Sequence, residues 1–183
     1  MQLKSLGYRT DLIFAAFDGE IHDQGNHLVI RTPSNPGFYW GNFLIFDRSP
    51  QAGDILSWPE LFRQEIGAPP EVSHQAFGWD SSGDEPGEIQ PFVDAGFTFL
   101  QSEVLTAQQV HPPRHLNPEG AVRLLVTQED WNQALENQIA CREPVFEEAG
   151  YRMFKERQNT RYQAMAAQGL GNWFGAFLGD RLV

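Results

Sequence analysis

The sequence predicts an α/β fold, and three observations carry that expectation. The first is Phe38-Tyr39-Trp40-Gly41-Asn42-Phe43-Leu44-Ile45-Phe46-Asp47, a short, aromatic-rich and almost wholly apolar run closed by the turn-forming Asp47-Arg48-Ser49-Pro50. Such a run reads as a strand buried on both faces. The second is a helical pattern from Asp54 to Gly67, and the third is another short apolar run, Gln75-Ala76-Phe77-Gly78-Trp79. Strand, helix, strand is the signature of a crossover unit, so the two strands should lie parallel in one sheet. Ligands in such sheets bind beyond the carboxyl ends of the strands, which makes the loop from Asp47 to Asp54 the candidate site.

In chain order, residues 1–10 read as a loose lead-in. Leu12-Ile13-Phe14-Ala15-Ala16-Phe17 is apolar enough for a core element but too short to assign by period. Asp18-Gly19 and Gln24-Gly25-Asn26 are turn signals, so Glu20–Asp23 should pair as a hairpin with the strand His27–Arg31. Pro33 and Pro36 then break regular structure ahead of the central strand. The following helix has Asp54, or Ser57 with Glu60, as its cap, and Pro59 is expected in its first turn. Ile55, Trp58, Phe62 and Ile66 make one apolar face, and Gly67 stops it. A polar loop from Asp80 to Gly87 precedes a short helix, Glu88 to Ala95, burying Ile89, Phe92 and Val93. Phe97 to Leu105 alternates as a further strand would.

Pro112-Pro113, Asn117-Pro118 and Gly120 mark a linker over residues 107–120, dividing the chain into 1–106 and 121–183. The second part opens with a strand, Ala121 to Val126. Thr127 and Asp130 cap a helix carrying Trp131, Leu135 and Ile139. A second helix should run from Pro144 to Ala167, turning Tyr151, Phe154, Tyr162 and Met165 inward. Trp173 to Leu178 reads as a strand, and Gly179-Asp180 as a two-residue hairpin turn with Arg181-Leu182-Val183 returning. So short a return strand leaves an open edge. We therefore expect either a piece of something longer or a homodimer completed through that edge.

The chain has 24 acidic and 13 basic residues, a formal charge of −11, and that balance argues against nucleic-acid binding. Solubility alone accounts for such a surface, while an amine-bearing substrate would suit its field. No apolar run approaches the ~20 residues that span a bilayer, so no membrane association is expected. No charged segment followed by an apolar one opens the chain, which argues against a signal peptide. A single cysteine, Cys141, excludes an internal disulfide and fits a reducing cytoplasm.

The order strand, loop, helix, strand, short helix, together with Pro91-Phe92-Val93-Asp94-Ala95-Gly96-Phe97-Thr98-Phe99-Leu100, resembles the second half of the GNAT superfamily of N-acyltransferases. The part after the linker, ending Gly171-Asn172-Trp173-Phe174-Gly175-Ala176-Phe177-Leu178-Gly179-Asp180-Arg181-Leu182-Val183, is similar to the opening half of that fold. The two halves stand in an order opposite to the family's. The resemblance implies a GNAT-like mixed sheet flanked by helices, in two halves or as one permuted or exchanged sheet. It also implies transfer of an acetyl group from acetyl-CoA to an amine.

The family's cofactor motif, Arg/Gln-x-x-Gly-x-Gly/Ala, falls on Arg48-Ser49-Pro50-Gln51-Ala52-Gly53. Arg48 and Gly53 match, Gln51 replaces the first glycine, and Pro50 removes a backbone donor. By that resemblance Arg48, Ser49, Gln51, Ala52, Gly53 and Asp54 are the candidate acetyl-CoA residues of a degenerate loop. A surface arginine after a strand is nevertheless the commoner case. Gln168-Gly169-Leu170-Gly171-Asn172-Trp173 fails the motif at its last position. If the loop does not bind, the alternative is a non-catalytic GNAT-like module for ligand binding or dimerisation.

No residue matches a motif that would assign an acid or a base, so no catalytic residue is named. Trp40, Trp58 and Trp79 sit in apolar runs and read as core. His111 and His115 lie in the linker without a fixed acidic or cysteine partner, so no metal site is expected. His22, His27 and His74 are scattered singly. Cys141 has no histidine nearby in sequence, and Glu147 and Glu148 read as water-facing helix residues.

Overall fold

The computed structural model describes residues 1–80, 85–115 and 117–183. The chain is α/β and divides into two compact units, Met1–Thr106 and Ala107–Val183. Each unit has its own sheet, four-stranded in the first and three-stranded in the second. Among the described residues the strands form two separate sheets, the arrangement in two halves. The polar loop expected from Asp80 to Gly87 falls partly outside the described residues, at 81–84.

In the first unit, α1 (Leu6–Asp18) precedes the hairpin β1 (Glu20–Asp23) and β2 (His27–Arg31). There follow β3 (Phe43–Phe46), α2 (Asp54–Glu65), β4 (Phe77–Trp79) and α3 (Gln90–Asp94). The sheet order is β1-β2-β3-β4. β1, β2 and β3 are antiparallel, and β4 joins β3 in parallel with Leu44 opposite Phe77 and Phe46 opposite Trp79. The crossover expected from sequence is therefore present.

All four residues of β3 are buried, because helices cover both sheet faces. Leu28, Ile30, Phe43 and Ile45 pack with Ala15 and, more loosely, Tyr8 and Leu12 of α1. Val29, Leu44 and Phe46 pack with Trp58 and Phe62 of α2 and Phe92 of α3. Phe46 and Trp58 stack with ring centres 3.7 Å apart. Ile55 and Ile66 complete the expected apolar face of α2 at its margins.

Several boundaries differ from expectation. Residues 1–10 are not a loose lead-in, since Ser5 caps α1 by accepting from the Gly7 and Tyr8 N–H groups. The buried Asp80 carboxylate accepts from the Lys4 N–H and, at 3.0 Å, the Ser5 N–H. The central strand starts at Phe43, because Tyr39–Gly41 forms a 3-10 turn ahead of it. Trp40 is consequently 48 % exposed, edge-on to Phe43, and is not a core residue. The loop before β3 is held by the Asn42 side chain, which accepts from the Thr32 N–H at 2.9 Å and donates to the Asn35 and Phe38 carbonyls.

Gly53, not Asp54 or Ser57, is the N-cap of α2, at φ +92°. That start places Pro59 in the second turn, where it removes one intrahelical bond. The short helix α3 buries Phe92 but leaves Val93 at the surface. Residues 97–105 form no strand: Phe97 turns into the core and Phe99 stacks on Trp79, so the segment contributes rings where a ladder was expected.

The second unit contains β5 (Gly120–Leu124), α4 (Gln128–Ala140), α5 (Glu148–Ala167), β6 (Phe174–Leu178) and β7 (Arg181–Leu182). β6 lies between β5 and β7, antiparallel to both, and Gly179-Asp180 makes the expected tight turn. Thr127 and Asp130 form a reciprocal capping box on α4. α5 starts at Glu148 with Glu147 as its cap, four residues later than the proline suggested. Its most buried residues include Gln158 and Arg161 besides Met165, polar positions that the apolar pattern did not reveal.

Phe62 is fully buried and packs edge-on to Phe77 and His74. Phe62→Ala should destabilise the first unit by about 3–5 kcal/mol, measured by urea unfolding followed through tryptophan fluorescence.

Candidate functional site

The loop 47–54 leaves the carboxyl end of β3 beside that of β4. Its geometry follows from two residues at its ends. Arg48 is delivered by the strand, and Asp54 opens α2, where the N–H groups of a first turn favour an anion. The two meet in a bidentate fork: Arg48 Nη1 and Nη2 donate to Asp54 Oδ2 and Oδ1, the second at 3.0 Å. Asp54 Oδ2 also accepts from the Gln51 N–H at 2.7 Å. Arg48 Nη1 further donates to the Ser49 carbonyl at 3.1 Å, and its guanidinium lies 5.9 Å from the Trp58 ring centre.

Of the six residues singled out, then, Arg48, Gln51 and Asp54 are brought together in one closed clamp. Ser49 contributes a carbonyl to it. Ala52 and Gly53 form the exposed turn, with open space where a Gly53 side chain would stand. Buried Pro50 ties the loop to its neighbour, its carbonyl accepting from the Glu88 N–H at 2.9 Å. Gly87 lies so close to Ser49 and Pro50 that a Cβ there would collide with the Pro50 carbonyl.

The electrostatics follow from the clamp. The Arg48 guanidinium foremost, and then the Gln51 N–H, hold the Asp54 carboxyl below the usual carboxylate range, against an upward push from burial. Asp54 in turn raises the Arg48 pKa. An arginine fork and a backbone N–H at a helix start are the donors that a phosphate would need. Here Asp54 supplies the anion, so the loop in this arrangement does not fit a pyrophosphate. The signal for this pairing is in the sequence, where Arg48 and Asp54 close the same turn.

The same device recurs in the second unit, unforeseen from sequence. Arg123 of β5 donates twice to Asp130 at the start of α4, at 2.9 and 2.7 Å, and Asp130 also accepts from the Val126 and Thr127 N–H groups. The Arg123 fork is the first of the causes that hold the Asp130 carboxyl far below its usual range. The Arg123 guanidinium lies 3.6 Å from the Phe177 ring centre.

The remaining candidates are placed as follows. Cys141 is exposed, its thiol donating to Asn137 Oδ1 at 3.4 Å. Glu147 accepts from the Gly150 N–H and Glu148 pairs with Arg142 at 3.0 Å. Tyr151 lies between Phe146 and Phe154, with its phenol pKa raised by burial first. His111 and His115 are exposed, and no group of three or more potential metal ligands occurs among the described residues. Trp58 is buried and Trp79 half-buried. Among the described residues no helix is long and apolar enough to cross a membrane.

Comparisons with models of protein families, with curated proteins and with solved structures return no match.

The depressed Asp54 pKa fixes a pH dependence. A carboxyl whose folded-state pKa lies below its unfolded value of about 4 stabilises fully above that value. That stabilisation disappears as pH falls through the folded value. With the Arg48 side chain 42 % exposed, Asp54→Asn should remove only about 1 kcal/mol at neutral pH. The variant should also lose less further stability than the wild type on acidification below pH ~4, read by urea unfolding across that range.

Proposed function

We propose that this chain is a GNAT-related, N-acetyltransferase-like protein. The reaction class of the intact form would be transfer of an acetyl group from acetyl-CoA to an amine. The observation that carries this reading is the direction of the strands flanking the candidate loop: β3 and β4 run parallel, joined through the loop and α2. The succession strand, two helices and hairpin in the second unit supports it further. An acidic chain suits an amine-bearing acceptor, and the exposed single thiol suits a reducing cytoplasm.

The Arg48–Asp54 clamp favours a second reading for the first unit, a non-catalytic GNAT-like module. In that reading the loop keeps the shape of a phosphate cradle and fills it with its own carboxylate.

Calorimetry with acetyl-CoA separates the two. The closed loop should bind no tighter than about 1 mM, and Asp54→Ala, which frees the Arg48 fork and the Gln51 N–H, should bring the Kd to about 100 μM or below. Silence from both proteins would leave the non-catalytic module. Micromolar binding by the wild type would show that the clamp opens for acetyl-CoA.

A further inference from the structure

The three-stranded sheet of the second unit has two faces of different character. On one, Phe177 of β6 is fully buried, and Gln133 of α4 reaches the strand ends through the Leu182 N–H and the Asp180 carbonyl. The register fixes what lies on the other. Leu124 is opposite Phe174, Val122 opposite Ala176 and Gly120 opposite Leu178, so their side chains share one face. Val183, whose N–H bonds the Ala176 carbonyl, extends it.

That face is apolar and exposed. Val122 is 74 % and Phe174 62 % exposed, and Leu124, Leu178 and Val183 are each at least 39 % exposed. An antiparallel sheet with one wet face ordinarily carries polar residues there. Only Arg181, opposite Leu178, brings a charge.

We infer that this face is the contact surface between two copies of the chain, packed sheet against sheet. Two arguments select a second copy. The first is area: the exposed parts of these side chains amount to on the order of 500 Å². Doubled by a two-fold contact, that reaches the ~1,000 Å² minimum for a specific interface. The second is charge. Any contact between copies of a chain of formal charge −11 is opposed by repulsion, and this face has none of the 24 acidic residues on its paired positions. Interface centres are depleted of charge in just this way. Self-contact along the β7 edge has only two residues to offer.

The test is sedimentation equilibrium of the whole chain from about 5 to 300 μM. The wild type should move towards twice the monomer mass over that range. Phe174→Lys and Val122→Lys, each placing like charges in the contact, should weaken dimerisation at least about tenfold while leaving far-ultraviolet circular dichroism and the melting curve of the dilute protein unchanged. The milder Leu178→Gln should weaken it by less and serves if a lysine variant misfolds. A wild type that stays monomeric at the highest concentration overturns the inference. So does a dimer indifferent to all three substitutions, which would place the contact elsewhere than on this face.

Discussion

Burial of β3 on both faces is the constraint on which the first unit depends. A strand with water on one side needs only one apolar face, but Phe43–Phe46 presents four apolar side chains in succession and must be covered twice. α1 closes one side, while α2 and α3 close the other. The direction of β4 follows from the same demand. A helix laid over the sheet between β3 and the next strand brings that strand back parallel, and the turn from β3 into the helix then falls at the sheet's carboxyl edge. Even the polar loop before β3 serves this geometry, since the Asn42 side chain satisfies backbone groups that a buried strand entry would otherwise strand away from water.

What could be read in the sequence was what depends on local pattern. The hairpin at Gly25, the apolar stripe of α2, the capping box at Thr127 and the turn at Gly179-Asp180 are each decided by neighbours within a few residues. What could not be read depends on distant partners. α1 begins at Leu6 partly because a carboxylate far along the chain holds the N–H groups of Lys4 and of the capping Ser5, and no window around residues 1–10 contains that fact. Residues 97–105 alternate as a strand should, yet their rings are used for packing on Phe77, Phe92 and Trp79. The position of the loop after β3 follows from topology, whereas the pairing of side chains across it does not. Arg48 and Asp54, both candidates for binding a ligand, are each bound to the other.

The two Arg–Asp forks are one solution to one problem met twice. A strand turning sharply into a helix leaves the helix's first N–H groups without partners. An aspartate in the first turn instead holds the N–H groups of the turn leading into the helix, Gln51 in one unit and Val126 and Thr127 in the other, and an arginine at or just after the strand neutralises it and braces the corner. Arg48 lies near Trp58 and Arg123 against Phe177, so in both units the guanidinium sits by an aromatic ring. The forks give each strand-to-helix corner a fixed shape without calling on any ligand.

The bond between Asp80 and the start of α1 spans more than seventy residues of chain. During synthesis the first helix leaves the ribosome well before the residue that completes its amino end. Until β4 and the residue after it have been made, that helix has neither its carboxylate partner nor the full sheet to lie on. The start of α1 is thus fixed by a residue made after the whole four-stranded sheet.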